Sequence, residues 1–231
     1  MTHIKICGIT SLEDARAAID AGADYLGFNF YPPSPRSILP EACAKITSVL
    51  VKEYPQVQLV GVFVNMPVEQ VKTILTSCGL HLAQLHGDES PEMVAALEGQ
   101  AFKAVRVKAD LVTDGETDKR MNARQGMETD FKDYIRFRDG QAPALLVDAA
   151  VKGAYGGTGV TANWSAAAEL AKRVPLLLAG GLTAENVGAA VRQVHPWGVD
   201  TASGVEASPG KKDASKMKAF VEAIQRVENR D

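Results

Sequence analysis

Along the chain, short apolar runs alternate with longer segments in which apolar residues return every three or four positions. The runs are Ile4–Cys7, Tyr25–Phe30, Leu59–Val64, Leu82–His86, Ala101–Lys108, Ala144–Asp148, Pro175–Ala179 and Gly198–Thr201. Most are continuously apolar, the mark of strands covered on both faces, as in a parallel sheet. Between them, Leu12–Ala21, Glu41–Lys52, Val68–Cys78, Pro91–Leu97, Trp164–Arg173, Ala184–Arg192 and Ala214–Val227 carry the period of amphipathic helices. Strands alternating with helices of this length predict βαβ units and a parallel sheet. Eight strands suit either a closed (β/α)8 barrel or a doubly wound open sheet, and loop chemistry favours closure.

Local signals sharpen the boundaries. Thr10 with Glu13 reads as a capping box, and Pro40, Pro67 and Pro91 sit where a first helical turn accepts proline. Gly22 stands where a left-handed C-cap ends the first helix. The stretch 109–140 breaks the pattern. It is polar, charged and aperiodic, with a helix expected only over Met127–Arg138, and reads as a surface insertion in one domain spanning 1–231.

Composition adds exclusions. A chain of 231 residues fits one barrel domain, which runs to about 200–250 residues. A net charge of −3 gives no electrostatic reason to expect nucleic acid or an anionic membrane as partner. No apolar stretch approaches the ~18 residues of a membrane span. The three cysteines, odd in number and widely spaced, argue against a disulfide framework or structural zinc and suit a reducing compartment. The opening Met1–Cys7 lacks the apolar run of a signal peptide, so the expected location is the cytoplasm.

Three glycine-containing loops follow predicted strands in the last third of the chain: Gly153–Gly159, Ala179–Leu182 and Ala202–Val205. Glycine lets backbone amides approach a phosphate, and barrels frequently build their phosphate site after strands seven and eight. One such loop alone reads as a tight turn; three in this order favour phosphate. No Gly-Lys-Ser/Thr follows any of them, and no Gly-x-Gly-x-x-Gly follows the first strand, which excludes a nucleotide cofactor.

Several strand ends carry chemistry. Cys7 closes the first strand with Lys5 two residues earlier, so both face one side, inward in a barrel, while Ile4 and Ile6 face the helices. A buried Lys5 favours a thiolate at Cys7, although spacing alone does not prefer that reading over a small buried hydrophobe, the usual fate of a free cysteine. Asp148, at the carboxyl end of its run, reads as a group at the barrel mouth or as a cap for the next loop. His86 and Asp200 also end strands, and no second histidine is spaced for a metal. Arg36 on the loop after the second strand suits a planar carboxylate, or is a solvated loop residue.

The segments Lys5–Thr10, Gly22–Asp24 with Leu26–Phe28, Ser34–Arg36, Gly61–Val64, Gln84–Gly87, Gly156–Gly159, Ala179–Leu182 and Ser203–Glu206 with Lys212–Asp213, in this order, resemble the phosphoribosylanthranilate isomerase family. The resemblance covers essentially the whole chain. It implies an Amadori rearrangement of N-(5-phosphoribosyl)anthranilate in tryptophan biosynthesis, with no metal or cofactor; the sequence itself is compatible with a monomer or a homodimer. It further implies Asp148 as general acid on the sugar ring oxygen and Cys7 as general base at C2. Arg36 is then expected on the anthranilate carboxylate, His86 and Asp200 near its amine or the sugar hydroxyls, and amides of Gly157, Gly181, Ser203 and Gly204 on the phosphate. Ala149 and Ala202 depart from the family pattern, each removing a hydroxyl that backbone amides can replace. Indole-glycerol-phosphate synthase requires a lysine acid and an extra N-terminal segment, and pentulose-phosphate epimerases use metal-bound carboxylates and histidines. A non-catalytic phosphosugar binder is set apart by the joint presence of Cys7 and Asp148.

Overall fold

The computed structural model describes residues 1–106, 133–135, 143–148 and 164–229. Eight strands, β1 (His3–Cys7), β2 (Tyr25–Asn29), β3 (Gln58–Phe63), β4 (Leu82–Leu85), β5 (Ala101–Arg106), β6 (Leu145–Asp148), β7 (Leu176–Ala179) and β8 (Gly198–Thr201), pair in sequence order. Every pairing is parallel, and β8 returns to β1 to close the barrel. The helices among the described residues are α1 (Leu12–Ala21), α2 (Pro40–Glu53), α3 (Val68–Ser77), α4 (Pro91–Ala96), α5 (Trp164–Ala171), α6 (Val187–Val194) and α7 (Ala214–Glu228). A 3-10 turn, Ser203–Val205, and a small hairpin of β9 (Glu206–Ser208) with β10 (Lys211–Lys212) lie between β8 and α7. No helix among the described residues is long and apolar enough to cross a membrane.

Strand alternation divides the apolar residues into two cores. Ile4, Ile6, Leu26, Phe28, Leu59, Phe63, Leu85, Leu145, Val147, Leu176 and Leu178 point outward and join the helices in the larger one. Tyr25, Val60, Phe102, Ala104, Leu146 and Leu177 fill the barrel interior as a separate cluster. Burying each of these large side chains contributes roughly 1.5–3 kcal/mol, and the interior cluster plugs the barrel so that ligands are confined to its carboxyl-terminal mouth.

Two helix-start expectations shift. The first helix is capped by Ser11, whose side chain accepts from the Asp14 N–H, rather than by Thr10. Thr10 instead donates its hydroxyl to the Gly210 carbonyl at 2.7 Å, tying the β1–α1 turn to the β9–β10 hairpin. Pro67 occupies the N-cap of α3, one residue before the first turn, whereas Pro40 and Pro91 do open their helices. Gly22 ends α1 at φ 111°, as expected. Of the polar stretch 109–140, the helical turn 133–135 is described, with Tyr134 and Ile135 packed on the outer core; the remainder lies outside the described residues.

Candidate active site

Cys7 ends β1 facing inward, in register with Gly27 of β2. A Cβ on Gly27 would stand 2.7 Å from Cys7 Sγ and 3.1 Å from Lys5 Nζ, so glycine is what lets thiol and ammonium occupy this corner of the barrel. Lys5 is completely buried and donates to Asp200 Oδ1 at 2.6 Å across the β1–β8 seam. The two are also register partners, which fixes the contact through backbone pairing. Burial works against the Lys5 charge, but Asp200 and the Cys7 sulfur outweigh it and hold the ammonium above its ordinary range. For Cys7, burial pushes the thiol up, Lys5 pulls it back, Asp200 pushes up again and Lys212 pulls down; the net is upward. Lys5 thus acts on the Cys7 thiol in the direction its position in the sequence suggests, opposite to the larger effect of burial.

Arg36 reaches the same corner from the β2–α2 loop. That loop folds back on Asn29: Asn29 Nδ2 donates to Ser34 Oγ, which also accepts from the Arg36 N–H, and Ile38 N–H bonds the Asn29 carbonyl. Gly8, at φ 78°, leaves the space that the aliphatic stem of Arg36 crosses, since a Cβ there would meet Arg36 Cδ at 2.8 Å. The guanidinium forms a two-pronged pair with buried Glu206, Nε to Oε1 and Nη2 to Oε2, both 2.7 Å. This partner was not foreseen from the sequence, which offered a substrate carboxylate or solvent. Glu206 also accepts from Lys212 Nζ at 3.0 Å, and Lys212 in turn donates to the Ala202 carbonyl. Burial raises the Glu206 carboxyl, yet Arg36 and Lys212 together bring it below its usual range. Glu206 thus anchors one edge of the Arg36 fork and turns the other toward the mouth.

Around the mouth, β4 contributes Gln84 and leads into His86, whose Nδ1 lies 2.8 Å from Gln84 Nε2. Asp148 ends β6 in register with Ala179 of β7. After β7, Gly180 and Gly181 take φ of 107° and 65°, a turn that side-chain-bearing residues rarely adopt. Gly204, in the 3-10 turn after β8, abuts the Leu182 carbonyl so closely that a Cβ has no room. Cys7, Arg36, His86, Asp148 and Asp200 all line one cavity of about 270 Å³, together with Gly181 and Ser203. Gly204 lies in the adjoining turn, and Gly157 lies outside the described residues. Residues that sequence reasoning did not assign are Gly27, Gln84, Glu206 and Lys212. Their shared signal was polar or glycine residues at inward positions of apolar strands, or just beyond strand ends.

A closed parallel barrel with a thiol, carboxylates, an arginine and glycine turns gathered at its carboxyl-terminal mouth is a (β/α)8-barrel enzyme. The family model for N-(5'-phosphoribosyl)anthranilate (PRA) isomerase matches residues 4–223. The chain belongs to that family. It is 44% identical over 96% of its length to the N-(5'-phosphoribosyl)anthranilate isomerase of Pelobacter propionicus, covering 94% of that protein. Among solved structures it is similar to phosphoribosyl anthranilate isomerase from Thermotoga maritima, with TM-score 0.80, 37% identity and coverage of 98% of this chain and 100% of that one. It is also similar to a phosphoribosyl anthranilate isomerase in complex with reduced 1-(o-carboxyphenylamino)-1-deoxyribulose 5-phosphate, with TM-score 0.77, 35% identity and coverage of 98% and 100%.

Proposed function

We propose that this chain isomerises N-(5'-phosphoribosyl)anthranilate to 1-(2-carboxyphenylamino)-1-deoxyribulose 5-phosphate in tryptophan biosynthesis, by general acid–base catalysis. The observation that carries the residue roles is that Cys7 and Asp148, from β1 and β6, border the same cavity. An Amadori rearrangement needs one proton delivered and another withdrawn at neighbouring atoms of one sugar.

Asp148 gives a proton to the furanose ring oxygen while the anilino nitrogen lone pair expels it, opening the ring to a Schiff base. Cys7, ionised, takes the C2 proton; the electrons of that bond form C1=C2 and quench the iminium, giving an enolamine. Ketonisation places a proton on C1 and releases one from the C2 hydroxyl, so the net change is an isomerisation. Lys5 supplies the positive charge against which the thiolate forms. Arg36, with Glu206 on one edge, offers its remaining N–H groups to the anthranilate carboxylate, and His86 and Asp200 face the amine and the sugar hydroxyls. Phosphate is taken by amides of Gly181, Ser203 and Gly204, at the barrel position where such sites recur, and of Gly157. The chain acts as a single domain in which 109–140 is an insertion.

The test mixes freshly made phosphoribosylanthranilate with wild type, Cys7→Ser and Asp148→Ala and follows loss of anthranilate fluorescence. Rapid decay with wild type and a fall of about 10²–10⁴-fold in each variant supports the assignment. No acceleration by folded wild-type protein overturns it.

A further inference from the structure

On the outer side of the barrel, directly behind the mouth, β5 carries a charged residue where its neighbours are apolar. Lys103 has a side chain only 6% exposed and pairs at 2.8 Å with Glu89, whose side chain is 1% exposed. Neither borders the mouth cavity, and the isomerisation as written uses neither. Their contacts converge on the segment that carries His86. Lys103 Nζ donates to the Gly87 carbonyl at 2.5 Å and to the Leu85 carbonyl at 3.4 Å, the two carbonyls flanking His86. Glu89 accepts from the Gly87 N–H at 2.8 and 3.1 Å, and from the Asn65 N–H of the β3–α3 loop at 2.8 Å. Asn65 Oδ1 in turn accepts from the Asp88 N–H at 2.6 Å, and the His86 N–H bonds the Phe63 carbonyl.

We propose that the buried Lys103–Glu89 pair is a positioning device that sets the orientation of the His86 imidazole at the mouth. An ion pair is a costly way to fill a site that hydrophobic residues fill equally well, and removing one partner strands the other. What this pair adds is directional: four backbone groups, at the end of β4 and in the loops after β3 and β4, are satisfied by two side chains, which hold the peptides on either side of His86. The consequence for turnover rests on His86 binding substrate, as proposed above; the consequence for the ring itself does not.

The test therefore has two arms. In the first, nitrogen-15 spectra of the imidazoles, with His86 assigned by its absence in His86→Ala, are compared between wild type, Lys103→Met and Glu89→Gln without substrate. A changed tautomer balance or shift at His86, with His3, His81 and His195 unmoved, is expected; an unchanged His86 signal in folded variants overturns the proposal. In the second, kcat and KM are measured for Lys103→Met, His86→Ala and the double variant. Losses of roughly 10–100-fold in kcat/KM are expected for each single variant, the loss expected when a supporting residue lets a site residue drift by about 1 Å. The double variant is expected to be no worse than His86→Ala, since residues acting through one another are not additive. Additive losses overturn the proposal. If Lys103→Met does not fold, Glu89→Gln, which keeps the shape and the acceptor oxygen, takes its place in the cycle. An altered His86 spectrum with a fully active His86→Ala supports the positioning device and overturns the assigned role of His86.

Discussion

Gly27 is the position where one added methyl group reports on the geometry of Cys7. In Gly27→Ala the new Cβ stands 2.7 Å from Cys7 Sγ, 3.1 Å from Cys7 Cα and 3.1 Å from Lys5 Nζ. Non-bonded heavy atoms sit best at about 3.5–4.0 Å, so the sulfur must retreat by about 1 Å. It has little room to do so, because Lys5 is held by Asp200 and the β1 backbone is locked in register to β2 and β8. Overpacking of this kind costs about 1–3 kcal/mol, a fall of roughly 2–12 °C in Tm for a chain of this size. A displacement of about 1 Å at a reacting atom costs on the order of 10²-fold in rate. The control is Gly61→Ala, which crowds the Phe63 ring at the same 2.7 Å. The Phe63 ring faces the outer core and does not line the mouth cavity. Steady-state assays at 20 °C with thermal melts on both variants are expected to give similar losses of Tm and a kcat/KM loss confined to Gly27→Ala. Wild-type kcat/KM in a destabilised Gly27→Ala would refute the reasoning, because the base would then not depend on its position in this corner.

Two further outcomes follow from the electrostatics. Because Cys7 is held above the ordinary thiol range by burial, with Lys5 pulling the other way, its alkylation by iodoacetamide is expected to accelerate with pH beyond the midpoint of a free cysteine. Lys5→Met is expected to move that profile to higher pH still, and an unchanged or acid-shifted profile refutes the role given to Lys5. Glu206→Gln loosens the Arg36 fork and is expected to raise KM about tenfold and to lower stability by roughly 3 kcal/mol, the low end for a broken buried pair because Arg36 keeps some contact with water. The folded Glu206 carboxyl titrates below its unfolded value, so its stabilisation is present above about pH 4.3 and is lost as pH falls toward the folded value. Acid melts of Glu206→Gln are therefore expected to lack part of the wild-type drop below that pH, and parallel acid limbs would exclude Glu206 as its source.

The sequence made the barrel legible because its signal is repetitive: eight apolar runs and their intervening amphipathic helices each bury the same face by the same rule, and among the described residues strand bounds differ from the structure by a residue at most. Cys7, Asp148, His86 and Asp200 were legible for a related reason, since a reactive group at the carboxyl end of an inward strand position has one place to point. What the pattern could not carry was pairing between residues far apart in the chain. Arg36 and Glu206 are separated by 170 positions, and nothing local to either distinguishes an arginine waiting for a substrate carboxylate from one already held by a protein carboxylate. The same holds for Lys5, whose place beside Cys7 is legible but whose pairing with Asp200, 195 positions away, is not. Lys103 is the instructive contrast. Its position between Phe102 and Ala104 in an apolar strand signals a buried cation and hence a buried partner, yet parity also places it on the helix side, away from the mouth. A charge there supports the site from behind, and parity along a strand thus separates residues that meet the substrate from those that hold them in place.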